Sequence, residues 1–480
     1  MSVRLLVYLL GQVAILSGVA ALFPLLYALW HGSAEVPAFV AEVLLVMTLG
    51  EVMLRVGREH PQKMDLLDAA GVLVFLWPFA SVLGALPFWF SGALDPVEAM
   101  FESVSSITST GISLLPEPHP FALEMWRSLI AWGGSLAFIV LLVTVLPPVC
   151  GSFGLVLTYE KSLAFSPLLP RMTRAAIRAS RIYVCLTVFS TLLFWLAGLG
   201  PLDSLAMAMM SLSTGGGAGN PLYLSRQDPW LEVAAMVSML MASTSFVLYW
   251  QAVRRRDWRN IWKDYELRVF LLLLAVVSLM VGGHLWYTGT YNFADSMRYA
   301  LFEVISFSST SGFMVAPVAD WPDFDRFVLL LLVFVGGCIG SMTGGMKIKR
   351  FLILFRMAFS EMKRTLHPHM VMDIRLGGET ISMRSVTHIL CYFFVHLVLF
   401  YIFAVLLTLS DITLPEAVGL SVGMMSSVGT ASGLYGLETF TGLSAGFKAT
   451  CCLFMLIGRM EIFALMLWFS GRLDRAERRW

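Results

Sequence analysis

The sequence predicts an all-α polytopic membrane protein: four helix/pore-helix/filter/helix repeats with pseudo-fourfold symmetry around a central pore, preceded by two extra N-terminal transmembrane helices. Three observations predict it. Of 480 residues, 58% are hydrophobic and only 14% charged, a balance foreign to soluble domains. The apolar residues gather into ten runs of membrane length, near 3–30, 37–55, 68–90, 122–148, 182–199, 229–252, 268–288, 325–360, 385–409 and 446–471. A short unit, acidic at its start and closed by a Ser/Thr/Gly turn, recurs in the gaps after the third, fifth, seventh and ninth runs.

The first run, Leu5 to Trp30, is too long for a cleaved signal and lacks an Ala-x-Ala exit, so it reads as a span. With the second run it fills residues 1–60; the four repeats follow as 61–150, 151–260, 261–375 and 376–480. Lys and Arg concentrate in Arg55–Lys63, Lys161–Arg181, Arg254–Arg268, Lys347–Arg384 and Arg472–Arg479. By the positive-inside rule these segments and both termini are cytoplasmic, and the Ser/Thr/Gly turns open outward. The six cysteines show no zinc-type spacing and read as small core residues.

The units run Glu98–Gly111, Asp203–Gly216, Asp295–Gly312 and Glu416–Gly429; acid and glycine are 13 residues apart in three of them and 17 in the third. Four extra residues are about one helical turn. None of the units is long enough to cross a bilayer, and irregular backbone at membrane depth must line a cavity or be buried in protein. Each is therefore expected to re-enter: a short helix descends, with Pro and acid at its N-terminus, and an extended strand climbs back. The negative ends of the helix dipoles then face the centre, where they favour a cation.

Stripping water from an alkali cation must be offset by fixed oxygens, and rings of backbone carbonyls supply them in potassium filters. The candidate filter is Ser109, Thr110 and Gly111; Thr214, Gly215 and Gly216; Thr310, Ser311 and Gly312; and Ser427, Val428 and Gly429. The glycines are expected to take positive φ, turning carbonyls to one axis. The ring is uncharged, which suits a monovalent cation, K+ as the transported ion, better than calcium. The bland alternative is that such turns merely cap interfacial helices; four at matched spacing argue against it.

The eighth run contains Gly336-Gly337-Cys338-Ile339-Gly340-Ser341-Met342-Thr343-Gly344-Gly345-Met346-Lys347. Glycine so dense weakens a helix, so the run is expected to break and form a gate beneath the filter, with Gly340, Gly344, Gly345 and Lys347 as its residues. Close helix packing through Gly336, Gly340 and Gly344 is the alternative. It is no phosphate-binding loop, because Ile348 follows Lys347. Arg459 and Glu461 lie inside the last run, where a charge is costly; Arg459 either sets an electrostatic barrier on the conduction path or forms a salt bridge that locks helices. His367 and His369 read as a solvated face, and no transition-metal site is expected. No Ser/His/Asp or Cys/His arrangement supports an enzyme, and nothing calls for a cofactor or a nucleic-acid partner.

These motifs resemble the ion-conducting subunit of the Trk/Ktr/HKT potassium-transporter superfamily, most closely the bacterial Trk type with two extra N-terminal spans. The resemblance rests on the four turns, Trp126-Arg127 through Gly134, Arg254–Arg268, Gly336–Arg350 and Leu456–Phe463. It implies a homodimer in the bacterial inner membrane with one pore per protomer, a gating loop at Gly344-Gly345 and a basic residue, Arg459, near it. It also implies a separate cytoplasmic nucleotide-binding ring, of NAD or ATP type, that regulates conduction. Potassium uptake driven by membrane potential is the function so implied; a sodium- or proton-coupled symporter of the same fold is the alternative. Three departures stand out: Ser427-Val428-Gly429-Thr430-Ala431 replaces an Asn-Val-Gly-Pro-Gly-like fourth turn, Gly217 replaces an aromatic, and Ser311 replaces Thr.

Overall fold

A hairpin of two helices opens the chain in the computed structural model, α1 (Val3–His31) and α2 (Val36–Val56). The model describes residues 3–58, 66–116, 119–144, 168–216, 228–367, 374–377, 379–410, 412–437, 440–460, 465, 466 and 468. Along α1 the buried residues Gly11, Ala14, Gly18, Ala21, Leu25 and Ala28 alternate three and four apart, a seam of mostly small side chains. Without a hydrophobic drive between helices in lipid, such a seam gains dispersion contact by letting backbones approach. Gly11 and Gly18 accordingly sit against Met53 and Met47 of α2.

The first repeat comprises α3 (Leu66–Phe90), α4 (Pro96–Ile107) and α5 (Phe121–Thr144). In the second, α6 (Leu168–Leu196) and α7 (Pro201–Ser213) precede α8 (Pro229–Ser243) and α9 (Phe246–Arg255), which meet at a bend of 85°. The sixth apolar run, expected to be one span, is thus broken at Thr244-Ser245. The short α10 (Arg259–Lys263) leads to the third repeat: α11 (Tyr265–Tyr287), α12 (Phe293–Ser308), α13 (Asp323–Val335) and, beyond a loop at 336–347, α14 (Ile348–Leu366). The fourth has α15 (Met383–Leu407), α16 (Leu414–Ser426) and α17 (Ala445–Arg459). One element departs from the all-α expectation: strands β1 (Ile374–Leu376) and β2 (Glu379–Ile381) pair antiparallel, Ile374 opposite Ile381.

Six described helices are long and apolar enough to cross a membrane, and the bent pair α8–α9 makes a seventh. The remaining three of the ten runs fall short for identifiable reasons. The fourth continues beyond the described residues, the eighth is interrupted at 336–347, and the helix of the tenth ends at Arg459.

The four short helices α4, α7, α12 and α16 have 12, 13, 16 and 13 residues, roughly 18–24 Å, less than a hydrocarbon core of about 30 Å. Their starts follow from local chemistry. Asp95 caps α4 by accepting from Glu98 N at 2.8 Å, Asn292 caps α12 by accepting from Asp295 N at 2.9 Å, and Thr413 and Glu416 form a capping box on α16. Proline stands in the first turn of α4, α7 and α16. The four extra residues of the third unit lengthen α12 by about a turn at its outer end, leaving its inner end in register with the others.

Neighbouring repeats are clasped across each boundary. Lys448 of α17 pairs with Glu98 of α4 at 2.7 Å, and Arg298 of α12 grips Glu232 of α8 through two bonds of 2.5 and 2.7 Å. Arg326 of α13 donates to Leu434 O at 3.2 Å, and Trp132 of α5 to Thr187 of α6 at 2.9 Å. The first repeat also carries the N-terminal hairpin, since Ala21, Leu25 and Phe39 share a core with Ala85, Phe88 and Trp126.

Candidate functional site

At the inner ends of α4, α7, α12 and α16 the chain turns through one conformation four times. Ser109, Thr214, Thr310 and Ser427, each two residues before its glycine, have φ of 59°, 55°, 55° and 58°. Left-handed backbone is unfavourable for a residue with a Cβ, so its recurrence at four equivalent places is a built feature. Two of the four glycines depart from expectation. Gly111 and Gly312 have φ of 84° and 72°, but Gly216 and Gly429 are not left-handed. These two are glycine for space: a Cβ on Gly216 would strike the Phe313 ring, and one on Gly429 the Ile112 side chain.

The same approaches give the order of the units. Gly111 abuts Gly215 and Gly216 of the second unit, Gly216 abuts Phe313 of the third, Gly312 abuts Thr430 of the fourth, and Gly429 abuts Thr110 and Ile112 of the first. The four loops therefore close a ring in chain order. Gly429 N donates to Thr110 O at 2.7 Å, and Thr430 Oγ1 to Gly312 O at 3.0 Å. All twelve candidate filter residues except Val428 and the glycines carry hydroxyls, and those of Ser109, Thr110, Thr214, Thr310, Ser311 and Ser427 are buried.

Carbonyl use differs around the ring. Gly111 O accepts from Arg127 Nη2 at 2.8 Å, and Arg127, 2% exposed, is ion-paired to Glu102 at 3.0 Å. In the fourth unit the expected extended strand is instead a 3₁₀ turn over Gly429–Tyr435, so Val428 O and Gly429 O accept from Ala431 N and Ser432 Oγ. Among the described residues the carbonyls of Ser109, Gly215, Gly216, Thr310 and Ser311 accept no hydrogen bond. A carbonyl oxygen has two lone pairs, so the engaged ones retain a second for a cation.

Directly beneath the ring lies the loop 336–347, with Gly336, Gly340 and Gly345 at φ of 68°, 77° and 72°. Its middle meets the second, third and fourth units directly. Gly344 N donates to Thr310 Oγ1 at 2.9 Å, Thr214 Oγ1 to Met342 O at 3.5 Å, and Gly344 lies against the backbone of Ser426. The first unit is reached through Arg459, 3% exposed, whose Nη1 donates to Met342 O and Nη2 to Ser135 Oγ, both at 3.1 Å. Ser135 in turn lies 3.1 Å from Ser109 Oγ and donates to Ser213 O at 2.9 Å. The Arg459 guanidinium also stacks over Phe138, 4.5 Å from the ring centre. Glu461, its suggested partner, lies outside the described residues, as do Gly217 and His369.

Two devices give the loop its shape. Lys347 turns its ammonium back onto Ser341 and Thr343, 2.7 Å from Thr343 Oγ1 and also bonded to Thr343 O, so a tethered cation organises the oxygens of the loop. The second was not visible in the sequence. Cys338 N and Met342 N donate to Ser243 O and Ala242 O at 3.1 and 3.2 Å, and Phe246 N donates to Gly340 O at 2.8 Å. Groups freed by the α8–α9 bend thus satisfy groups freed by the loop, as backbone at membrane depth requires. Glu266 at the start of α11 adds a 2.6 Å bond from Ile339 N. The one sequence hint was the polar trio Ser243-Thr244-Ser245 inside an apolar run. His367 is exposed at the end of α14, and no cluster able to hold a transition metal occurs among the described residues.

The family profile described as "TrkH: Cation transport protein" matches residues 35–477. The chain is 29% identical to the Trk system potassium uptake protein TrkH of Halomonas elongata, over 98% of this chain and 99% of that protein. It is 28% identical to the protein of the same description from Escherichia coli strain K12, over 98% and 99%. Its fold matches the crystal structure of the potassium transporter TrkH from Vibrio parahaemolyticus with a TM-score of 0.88 and 27% identity, covering 97% of this chain and 98% of that one.

Proposed function

The chain belongs to the TrkH family of cation transport proteins, and from that premise we propose that it is a gated, channel-like potassium uptake pore of the bacterial inner membrane. The observation that carries this reading is the closed ring of four loops. It presents backbone carbonyls and hydroxyls with no carboxylate among its twelve residues, which suits a dehydrated monovalent cation. The relatives described as potassium uptake proteins supply the choice of ion.

On this reading the loop beneath the ring, hydrogen-bonded to the second and third units and packed on the fourth, is the obstruction of a closed conformation: Gly340, Gly344, Gly345 and Lys347 shape it and Arg459 fastens it. Passage needs that loop to withdraw. No fuel is required, since a potential of about 150 mV is worth roughly 3.5 kcal/mol per charge, enough for some 300-fold accumulation. Control comes from outside the chain. Arg254, Arg255, Lys363 and Arg364 stand exposed at the ends of α9 and α14, a basic surface for a cytoplasmic nucleotide-binding ring, with both termini on that side. The unit of assembly is a homodimer within the lipid membrane.

The test is flux in liposomes containing the purified chain under an imposed inside-negative potential. Potassium entry exceeding sodium entry, without a sodium or proton gradient, is the expected result. Entry that needs either gradient would establish symport, and equal entry of both ions would overturn the selective filter.

A further inference from the structure

The ring has fourfold backbone but only twofold chemistry. Nine residues before the glycine stand Glu102 in the first unit and Glu303 in the third, but Met207 and Leu420 in the second and fourth. Six residues before it stand Ser105 and Ser306, against Met210 and Gly423. The paired residues act alike. Ser105 Oγ donates to Ile112 O at 2.7 Å and Ser306 Oγ to Phe313 O at 2.6 Å. Glu102 accepts from Leu114 N at 2.6 Å, and Glu303 from Val315 N and Ala316 N at 2.9 and 3.3 Å. In both diagonal units a buried carboxyl on the descending helix thus holds the amides of the ascending strand.

The fourth unit leans on this frame, through Gly429 N to Thr110 O and Thr430 Oγ1 to Gly312 O. The two carboxyls are not equivalent, however. Glu102 uses both oxygens: one meets Leu114 N, while the other takes Ser113 Oγ and pairs with Arg127, which itself holds Gly111 O. Glu303 places both amide bonds on Oε1, and its Oε2, fully buried, has no partner among the described residues. A buried charge without a counter-charge is heavily disfavoured, so what the third unit uses is an acceptor oxygen.

We propose that Glu102 and Glu303 are positioning residues for potassium selectivity, Glu102 acting through its charge on Arg127 and Glu303 through one acceptor oxygen that an amide can replace. This rests on the reading of the ring as a potassium filter. The experiment compares potassium-to-sodium permeability ratios from reversal potentials in planar bilayers for the parent chain, Glu303→Gln, Glu303→Leu and Glu102→Gln, each checked for monodispersity. Glu303→Gln is expected within about twofold of the parent, because the amide oxygen keeps both strand bonds. Glu303→Leu, a residue the fourth unit carries at this place, loses them and should lower the ratio roughly tenfold. Glu102→Gln strands the buried Arg127 and should be unselective or fail to assemble. If Glu303→Leu does not assemble, the contrast between the two Gln variants decides. A parental ratio in Glu303→Leu or in Glu102→Gln, or an impaired one in Glu303→Gln, overturns the proposal. A parent chain that does not prefer potassium overturns the filter reading instead.

Discussion

At Gly429 and Gly216 the glycine is fixed by a neighbour across the ring rather than by its own dihedrals, and the distinction has measurable consequences. Gly429→Ala drives a Cβ into Ile112 between the fourth and first units. Overpacking of this kind costs about 1–3 kcal/mol, so the expected outcome is a lowered melting temperature together with a weaker potassium preference, read by thermal unfolding in detergent and by reversal potential. Thr310 stands at the opposite extreme, left-handed although it carries a branched Cβ. Thr310→Gly relieves that conformation but removes the hydroxyl that receives Gly344 N, so basal potassium efflux from loaded liposomes should rise. Arg459→Ala should also raise it, with selectivity little changed because Arg459 holds Met342 O of the loop and no carbonyl of the ring. Lost expression without a flux gain would make Arg459 a packing residue. The sequence made both the glycines and the arginine conspicuous. It did not show that the common left-handed residue is a Ser or Thr, because that geometry comes from the helix end and not from a residue's preference.

The short helices were legible as elements because local chemistry writes them: caps, prolines and first-turn acids at the start, and a Ser/Thr/Gly turn at the end. The interruption of the eighth run was equally plain from glycine density. The matching break in the sixth run was not, because Ser243-Thr244-Ser245 lowers helix propensity only slightly and its stabilising partner lies about a hundred residues away in the chain. Nor was the 3₁₀ turn of the fourth unit, which depends on bonds from Ala431 N and Ser432 Oγ that no spacing rule foretells. The loop at 336–347 yields its own prediction. Gly344→Ala places a Cβ where the Ser426 backbone stands, so the loop must shift outward. Potassium efflux from loaded liposomes should then be faster than for the parent chain; a parental rate would show that the loop can remain in place around a side chain.

For the molecule as a whole, the N-terminal hairpin packs on the outer helices of the first repeat and leaves the ring to the four repeats. Removing residues 3–58 should therefore lower thermal stability yet preserve the potassium-to-sodium ratio, measured on the truncated protein in bilayers. Loss of selectivity there would mean that the hairpin braces Trp126 and, one residue on, Arg127. The mutual satisfaction of the α8–α9 bend and the loop has a mechanical corollary. Three main-chain bonds join them, and leaving such groups unpaired inside a membrane costs several kcal/mol each, so the two segments are expected to move together. A tether fixing α9 to α8 should accordingly hold even Gly344→Ala at the parental rate, whereas undiminished leak would uncouple the two. The ten residues of α9 form an arm of about 15 Å that ends in Arg254 and Arg255. On the proposed reading, force applied at those exposed arginines would be geared to the loop under the ring, so that the crank stands in reach of a partner while the seat it moves stays buried.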